Sequence, residues 1–287
     1  MPMYMPSRMA RIKQRIARLM PASVVSGYSG RREAKELSRI PRLACDVRNL
    51  RLGSEIDLRE LFTSREIEQR WERAAEKTNL LAIPERRGGI NHGDRRAVYY
   101  FTSKLSPSSV LEIGTHIGAS TLSVASALSM SATKKLVSVD ISDVNSPVSK
   151  PWLRHGARLS PAEMVNEMGY EPFVEFVIDD SLSYFAKCSR RFDFIFLDGD
   201  HAAATVYQEI PAALSLLNEG GVILLHDYFP ELRPLWPDVP VIPGPFLATE
   251  RLIREGAQLV ALPLGELPWQ SIQRSNATSL AMLMRSE

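Results

Sequence analysis

The residues best equipped for chemistry lie in two short clusters. Leu197-Asp-Gly-Asp-His201 sets two carboxylates and an imidazole directly after an apolar run, and Leu225-His-Asp-Tyr228 adds a second imidazole and another carboxylate. If those runs are neighbouring strands, Asp198 and Asp227 face one another across a short gap. Facing carboxylates repel unless a cation or a shared proton lies between them. Carboxylates joined by an imidazole suit a divalent metal, and an oxygen-rich set favours Mg²⁺ or Mn²⁺. An imidazole gains and loses its proton near neutral pH, which makes His201 a candidate general base. The competing structural reading of His201 is a residue at a helix N-terminus, bonded to Asp198 or Asp200. His226 reads equally as a ligand, as a group orienting one, or as a packing residue.

A second chemistry is suggested by Val110-Leu-Glu-Ile-Gly-Thr-His-Ile-Gly118. This reads as a buried strand that ends in a glycine turn and opens a helix. Such a junction puts backbone N–H groups and a positive helix end beside any ligand that docks there. A dinucleotide-binding turn needs G-x-G-x-x-G so that bare backbone can approach a pyrophosphate. Here the glycines are Gly114 and Gly118, and the place of the middle glycine is taken by His116, whose side chain would crowd the phosphates. Glu112 sets a carboxylate just before the turn, where it repels phosphate and suits a ligand carrying positive charge. His116 itself reads as a loop residue, while Thr115 and Ile117 line the turn.

These clusters need a scaffold, and the hydrophobic pattern supplies one. Apolar runs at 109–113, 136–140, 174–178, 192–197 and 222–225 alternate with helical stretches at 120–129, 160–168, 182–188 and 205–217, the last bent at Pro211. Nearly all-apolar strands separated by helices predict a parallel sheet covered on both faces. Two final strands, at 258–262 and 278–284, have no helix between them and predict an antiparallel hairpin. In an open parallel sheet, ligands bind beyond the carboxyl ends of the strands. Asp140 ends the second strand, where a carboxylate can accept from both hydroxyls of a ribose; the bland reading is a solvated loop residue. Asp179-Asp180-Ser181 ends the third strand, and one of those two acids reads as a helix N-cap.

Taken together these residues resemble the class I S-adenosylmethionine-dependent methyltransferases. Their first motif, E-x-G-x-x-x-G, matches Glu112, Gly114 and Gly118, and their ligand carries an ammonium and a sulfonium. Asp-Gly-Asp-His followed by Gly-Gly-Val-Ile-Leu-Leu-His-Asp-Tyr narrows the resemblance to methyltransferase family 24 and the metal-dependent macrolide-sugar O-methyltransferases. It covers roughly residues 88–287. The resemblance implies a doubly wound Rossmann-like α/β sheet, S-adenosylmethionine as cofactor and a small-molecule hydroxyl, on a sugar or natural product, as acceptor. It implies that Asp180 accepts from the adenine amine with Ser181 along the base, and that Asp140 holds the ribose. Ser120 and Thr121 would donate to the methionine carboxylate, and Asn91 and Gly93 would close over that moiety. Asp198 would bind both metal and cofactor, with His201 as base and His226 and Asp227 completing the metal site. The chain departs from the pattern by having His226 in place of an acid, and by carrying Asp227 and Tyr228 where catechol-type enzymes have Asp-Asn.

The remainder of the chain bounds these readings. A net charge of +2 over 287 residues exerts no global pull toward nucleic acid. Two distant cysteines, Cys45 and Cys188, form no metal-spaced pair and fit a reducing, cytoplasmic setting. No apolar run reaches the length of a membrane span, and no secretory h-region is visible. Met9, Ile12, Ile16 and Leu19 recur at helical spacing among basic residues, predicting a short helix stopped by Pro21. It reads as a helix docked on the domain or on a partner subunit, as an interfacial membrane helix, or as a targeting segment, the first being favoured. A second helix is expected over 57–75 and a third over 94–104. Breaks at Pro84, Gly88 and Gly89 divide an N-terminal helical extension, 1–85, from a cofactor-binding domain, 86–287. The long stretches 143–170 and 228–246, the latter rich in proline, are expected to shape the acceptor pocket. Nitrogen as the nucleophile and a metal-free enzyme are alternatives on the same fold. A non-catalytic scaffold is a third, disfavoured by the converging titratable groups.

Overall fold

The computed structural model describes residues 22–53, 57–84, 89–129, 133–237 and 239–286. The basic helix expected near residues 9–19 and the division at 85/86 lie outside them. Among the described residues, seven strands form one sheet in the order β3-β2-β1-β4-β5-β7-β6. They are β1 (Ser109–Ile113), β2 (Lys135–Asp140), β3 (Val174–Ile178), β4 (Phe192–Leu197), β5 (Leu217–Leu225), β6 (Leu259–Pro263) and β7 (Ala281–Arg285). The first five run parallel, and β7 enters antiparallel between β5 and β6. This is the parallel sheet with a terminal antiparallel hairpin that the hydrophobic pattern predicts, in the doubly wound order that the resemblance implies.

Side-chain alternation explains the two layers of helices. Val110, Phe194, Phe196, Val222, Leu224 and Met282 point to one face. That face is covered by α2 (Leu58–Phe62), α3 (Arg65–Asn79), α4 (His92–Leu105), α5 (Ala119–Leu128) and, after the short α6 (Pro151–Arg154), α7 (Pro161–Glu167). Leu111, Ile113, Ile195, Leu197, Ile223 and Leu225 point the other way. There they meet α1 (Ala22–Leu37), α8 (Ser181–Lys187), α9 (Ala203–Ser215) and α10 (Gly244–Arg254). Every residue of α5 is buried, so this helix lies wholly inside the protein. None of the described helices is long and apolar enough to cross a membrane.

Several elements differ from the sequence pattern. The helix expected over 57–75 is two helices, because Ser64 breaks the first and caps the second by accepting from the Ile67 N–H. α4 starts two residues earlier than expected, with Asn91 as its N-cap. β5 begins at Leu217 rather than at 222, running through Gly220 and Gly221, which read as a turn. α10 starts at the end of the proline-rich loop and runs through a stretch to which the sequence pattern assigns no element. Its start carries proline, which the first helical turn tolerates because those N–H groups have no helical partner.

Candidate active site

The carboxyl ends of β1 to β5 open into a cavity of about 840 Å³, within the range of small-molecule sites. The strand–turn–helix junction after β1 forms its floor. Gly114 has φ +100°, and a Cβ there would collide with the Asp198 carbonyl oxygen. Glycine is therefore required both by conformation and by the close approach of the β1 and β4 ends. His116 follows at φ +48°, and its N–H donates to Asp140 Oδ2 at 2.9 Å. The other oxygen, Oδ1, accepts from the Ser142 N–H at 2.8 Å. Asp140 is thus held by backbone on both oxygens and lines the cavity at the end of β2. The His116 ring meets His155 edge to face, and the residue borders the cavity.

Glu112 lies beneath this floor and does not line the cavity. It is fully buried on the α5 side of the sheet, and its Oε2 accepts from Thr121 Oγ1 and from Ser138 Oγ, both at 2.5 Å. Since Ser138 gives its proton to Glu112, the 2.6 Å contact between Thr115 and Ser138 has Thr115 as donor. A buried carboxylate thus anchors the turn and the helix start through three hydroxyls. Burial pushes the Glu112 carboxyl up to about 7, against the pull of the Ser120, Ser138 and Thr121 hydroxyls.

The β3 end contributes Asp179, Asp180 and Ser181. Asp180 is the N-cap of α8, its Oδ1 accepting from the Ser183 N–H at 3.1 Å, while Asp179 pairs with Lys187 at 3.0 Å. All three still face the cavity, as do Asn91, Thr115, Ile117 and Ser120. Gly93, Gly118 and Thr121 do not. Gly93 packs against the backbone of Ser271, where a Cβ would collide with Cα, and Gly118 caps α5 at φ +77° against Pro161. Asn91 uses its side chain to cap α4, Oδ1 accepting from the Asp94 N–H and Nδ2 donating to Asp94 Oδ2.

The charged cluster is assembled by β4 and β5, as their adjacency requires. Asp198, His201 and Asp227 present donor atoms all within 4.8 Å of one another. His201 Nε2 lies 3.3 Å from Asp227 Oδ2 and 4.0 Å from Asp198 Oδ1. His201 is also held from below: a Cβ on Gly244 would collide with its carbonyl, so the start of α10 packs directly against it. Asp227 sits at φ +53°, which turns its side chain toward Asp198 and His201. The donor set is carboxylates and one imidazole, fitting the hard-ligand preference of a divalent cation.

His226 is placed behind this set rather than in it. Its Nδ1 lies 2.9 Å from Asp198 Oδ1 and 3.5 Å from Asp227 Oδ1, and its Nε2 lies 3.4 Å from Asp94 Oδ2. None of these contacts is aligned as a hydrogen bond. Burial disfavours its charge, but Asp198 and Asp227 outweigh burial and hold the imidazole well above its usual range. The buried His226 charge in turn draws Asp227 down to about 2.

Two residues of this region escape sequence reading. Asp94, with no exposure, accepts from Asn91 Nδ2 at 2.6 Å and Thr278 Oγ1 at 2.5 Å and faces His226, so it ties α4 and the hairpin loop to the cluster. In sequence it reads only as the start of a helix. Glu209 is 1 % exposed on α9 and faces the cavity. Burial pushes its carboxyl up to about 7. Its signal in the sequence is an acid at a core position, between Val206 and Ile210 on one side and Ala213 on the other. Of the two long connections, the one after β5 supplies Trp236, Val239 and Ile242 to the cavity wall, over a small core of Phe229, Trp236 and Val241. The stretch 143–170 supplies no wall residue, contrary to the sequence expectation; its α7 packs on α5 instead.

Residues 111–228 match the family model for a methyltransferase domain, methyltransferase family 24. No curated protein matches the chain. Among solved structures, an O-methyltransferase from Bacillus cereus in complex with S-adenosylhomocysteine is similar over 78% of this chain and 91% of that one, with 19% identity and a TM-score of 0.51. The S-adenosylhomocysteine-bound methyltransferase PaMTH1 from Podospora anserina aligns over 78% and 89%, with 16% identity and a TM-score of 0.51. The O-methyltransferase TomG from Streptomyces achromogenes, involved in tomaymycin synthesis and bound to S-adenosylmethionine, aligns over 78% and 91%, with 15% identity and a TM-score of 0.50. These likenesses are likenesses of fold. With its glycine junction and strand-end acids, the chain carries a match to a methyltransferase domain over residues 111–228, on the fold that these S-adenosylmethionine- and S-adenosylhomocysteine-bound methyltransferases share.

Proposed function

We propose that the protein transfers the methyl group of S-adenosylmethionine to the hydroxyl of a small molecule, a sugar or hydroxylated natural product. The observation that carries this reading is that one cavity runs from the Gly114 turn and Asp140 to the Asp198–His201–Asp227 cluster. The first part suits the donor and the second suits activation of an acceptor oxygen. Asp140 accepts from the ribose hydroxyls, Asp180 and Ser181 flank the adenine, and the turn with Asn91 and Ser120 meets the methionine end. Glu112, Gly93, Gly118 and Thr121 serve the same end indirectly, by shaping the floor. Trp236, Val239 and Ile242 give the acceptor side an apolar wall.

Methyl transfer is an in-line displacement at the methyl carbon, with the sulfonium sulfur leaving, so the protein's main task is to hold acceptor oxygen and methyl group in line. A hydroxyl is a poor nucleophile until it loses its proton. His201, partly exposed at the cavity edge beside Asp227, takes that proton, and Asp227 stabilises the resulting imidazolium. Asp198 and Asp227 would hold a Mg²⁺ or Mn²⁺ ion, which supplies Lewis-acid lowering of the hydroxyl pKa when bound. His226, expected as a ligand, serves instead as a buried positive charge that keeps both carboxylates ionised and in place.

That buried charge favours a second reading, a metal-free enzyme in which His226 alone neutralises the carboxylate pair. The two are separated by a methyl-transfer screen of sugars, phenols and amines, run with Mg²⁺ and with a strong chelator. The proposal expects transfer to a hydroxyl, lost with the chelator, and a His201→Ala rate reduced about 100-fold or more. Full activity under chelation moves the assignment to the metal-free form. Transfer only to amines removes the hydroxyl assignment.

A further inference from the structure

Glu209 faces the cavity, yet the chemistry above gives it no task. Its side chain comes from α9, otherwise packed against the sheet through Val206, Ile210 and Ala213. The residue is 1 % exposed, it borders the cavity, and its Oε1 is buried without a hydrogen-bond partner. The Ser181 hydroxyl stands beside it, and Asp180 and Asp200 are close enough to raise its pKa further. Asp200 is already occupied, accepting from Thr205 Oγ1 at 2.7 Å and from the Ala202 N–H at 3.1 Å. A buried acceptor left unpaired costs stability in the empty protein, and a ligand that brings a donor removes that cost.

This corner lies at the β3 end, where the proposed function puts the adenine, and the inference rests on that reading. Adenine presents an exocyclic amine with two hydrogens to donate, whereas hypoxanthine presents a carbonyl whose lone pairs would oppose carboxylate oxygens. We infer that Glu209 is a specificity-determining residue for the purine of the methyl donor, its Oε1 accepting a hydrogen from the adenine exocyclic amine. Asp180, with Oδ1 committed to the Ser183 N–H, keeps its second oxygen for the same edge of the base. The pair makes the corner an acceptor-only environment that selects an amine and rejects a carbonyl.

The test is calorimetric titration of the full chain at pH 8, where Glu209 is mostly ionised, with S-adenosylhomocysteine and with S-inosylhomocysteine. The wild type should prefer the adenosyl compound by about tenfold or more. Glu209→Gln keeps the side chain's size but offers an amide N–H to the hypoxanthine carbonyl. Its preference should fall to about threefold or less, or reverse. Glu209→Ala, where it folds, should lose preference without reversal. A merely structural role would weaken both ligands equally and leave the ratio intact. Binding of S-adenosylhomocysteine by the wild type with an unchanged ratio in Glu209→Gln overturns the inference alone. Binding of neither ligand by the wild type overturns the cofactor reading and this inference with it.

Discussion

Replacing Glu112 by glutamine should change the pH dependence of stability more than stability itself. In the folded protein burial raises the Glu112 pKa from 4.5 to about 7. Between those values the native state holds a proton that the unfolded chain has released, so the slope of stability with pH is negative. The contribution is fully present below pH 4.5, is lost as pH rises through about 7, and is constant above. At about 1.36 kcal/mol per unit the loss amounts to about 3 kcal/mol. The introduced amide cannot titrate, yet its carbonyl can still accept from Thr121 and Ser138. Urea unfolding of both proteins at about pH 5, 6, 7 and 8 gives the difference directly. Glu209 titrates in the same range, but it is present in both proteins and cancels in the comparison. The Glu112→Gln variant should gain about 2–3 kcal/mol relative to wild type between about pH 5 and pH 8. A difference that stays constant across that range would refute a buried, titrating carboxyl beneath the glycine turn.

Two further substitutions probe the wall and the cluster. Asp140→Ala should weaken S-adenosylhomocysteine binding about 10- to 100-fold by calorimetry, since it removes the proposed ribose acceptor and frees the His116 and Ser142 N–H groups. Asp94→Ala strips Asn91, Thr278 and His226 of a shared buried partner and should cost about 3–5 kcal/mol in urea unfolding.

The sheet is legible in the sequence because its strands are short, apolar and bounded by polar or glycine residues. The runs at β1, β3 and β4 have the bounds expected from pattern alone, since turn and charged residues mark where each apolar run stops. β5 is half legible, because Gly220 and Gly221 carry a turn's signature inside a paired strand. α10 escapes the pattern because Pro243 and Pro245 look like loop residues until the helix start behind them is seen. At the site, acids ending strands can be read from topology, which alone brings Asp198 to Asp227. What sequence cannot rank is depth. Glu112 reads as a ligand but lies under the floor. His226 reads equally as ligand, orienting group or packing residue, and His201 as base or helix-start residue, while the structure puts His201 among the converging donors and His226 against Asp198. Asp94 and Glu209 are invisible as site residues because each comes from a helix far along the chain from the strand ends it meets.

The central claim is that the cavity between the Gly114 turn and the Asp198–His201–Asp227 cluster carries a methyl donor to an acceptor hydroxyl. Calorimetric titration of the full chain with S-adenosylmethionine measures the first half of that claim without needing the acceptor. Saturable one-to-one binding is predicted, weakened by Asp140→Ala and retained by His201→Ala, which stands on the acceptor side. Absence of binding, or binding indifferent to Asp140, would contradict it.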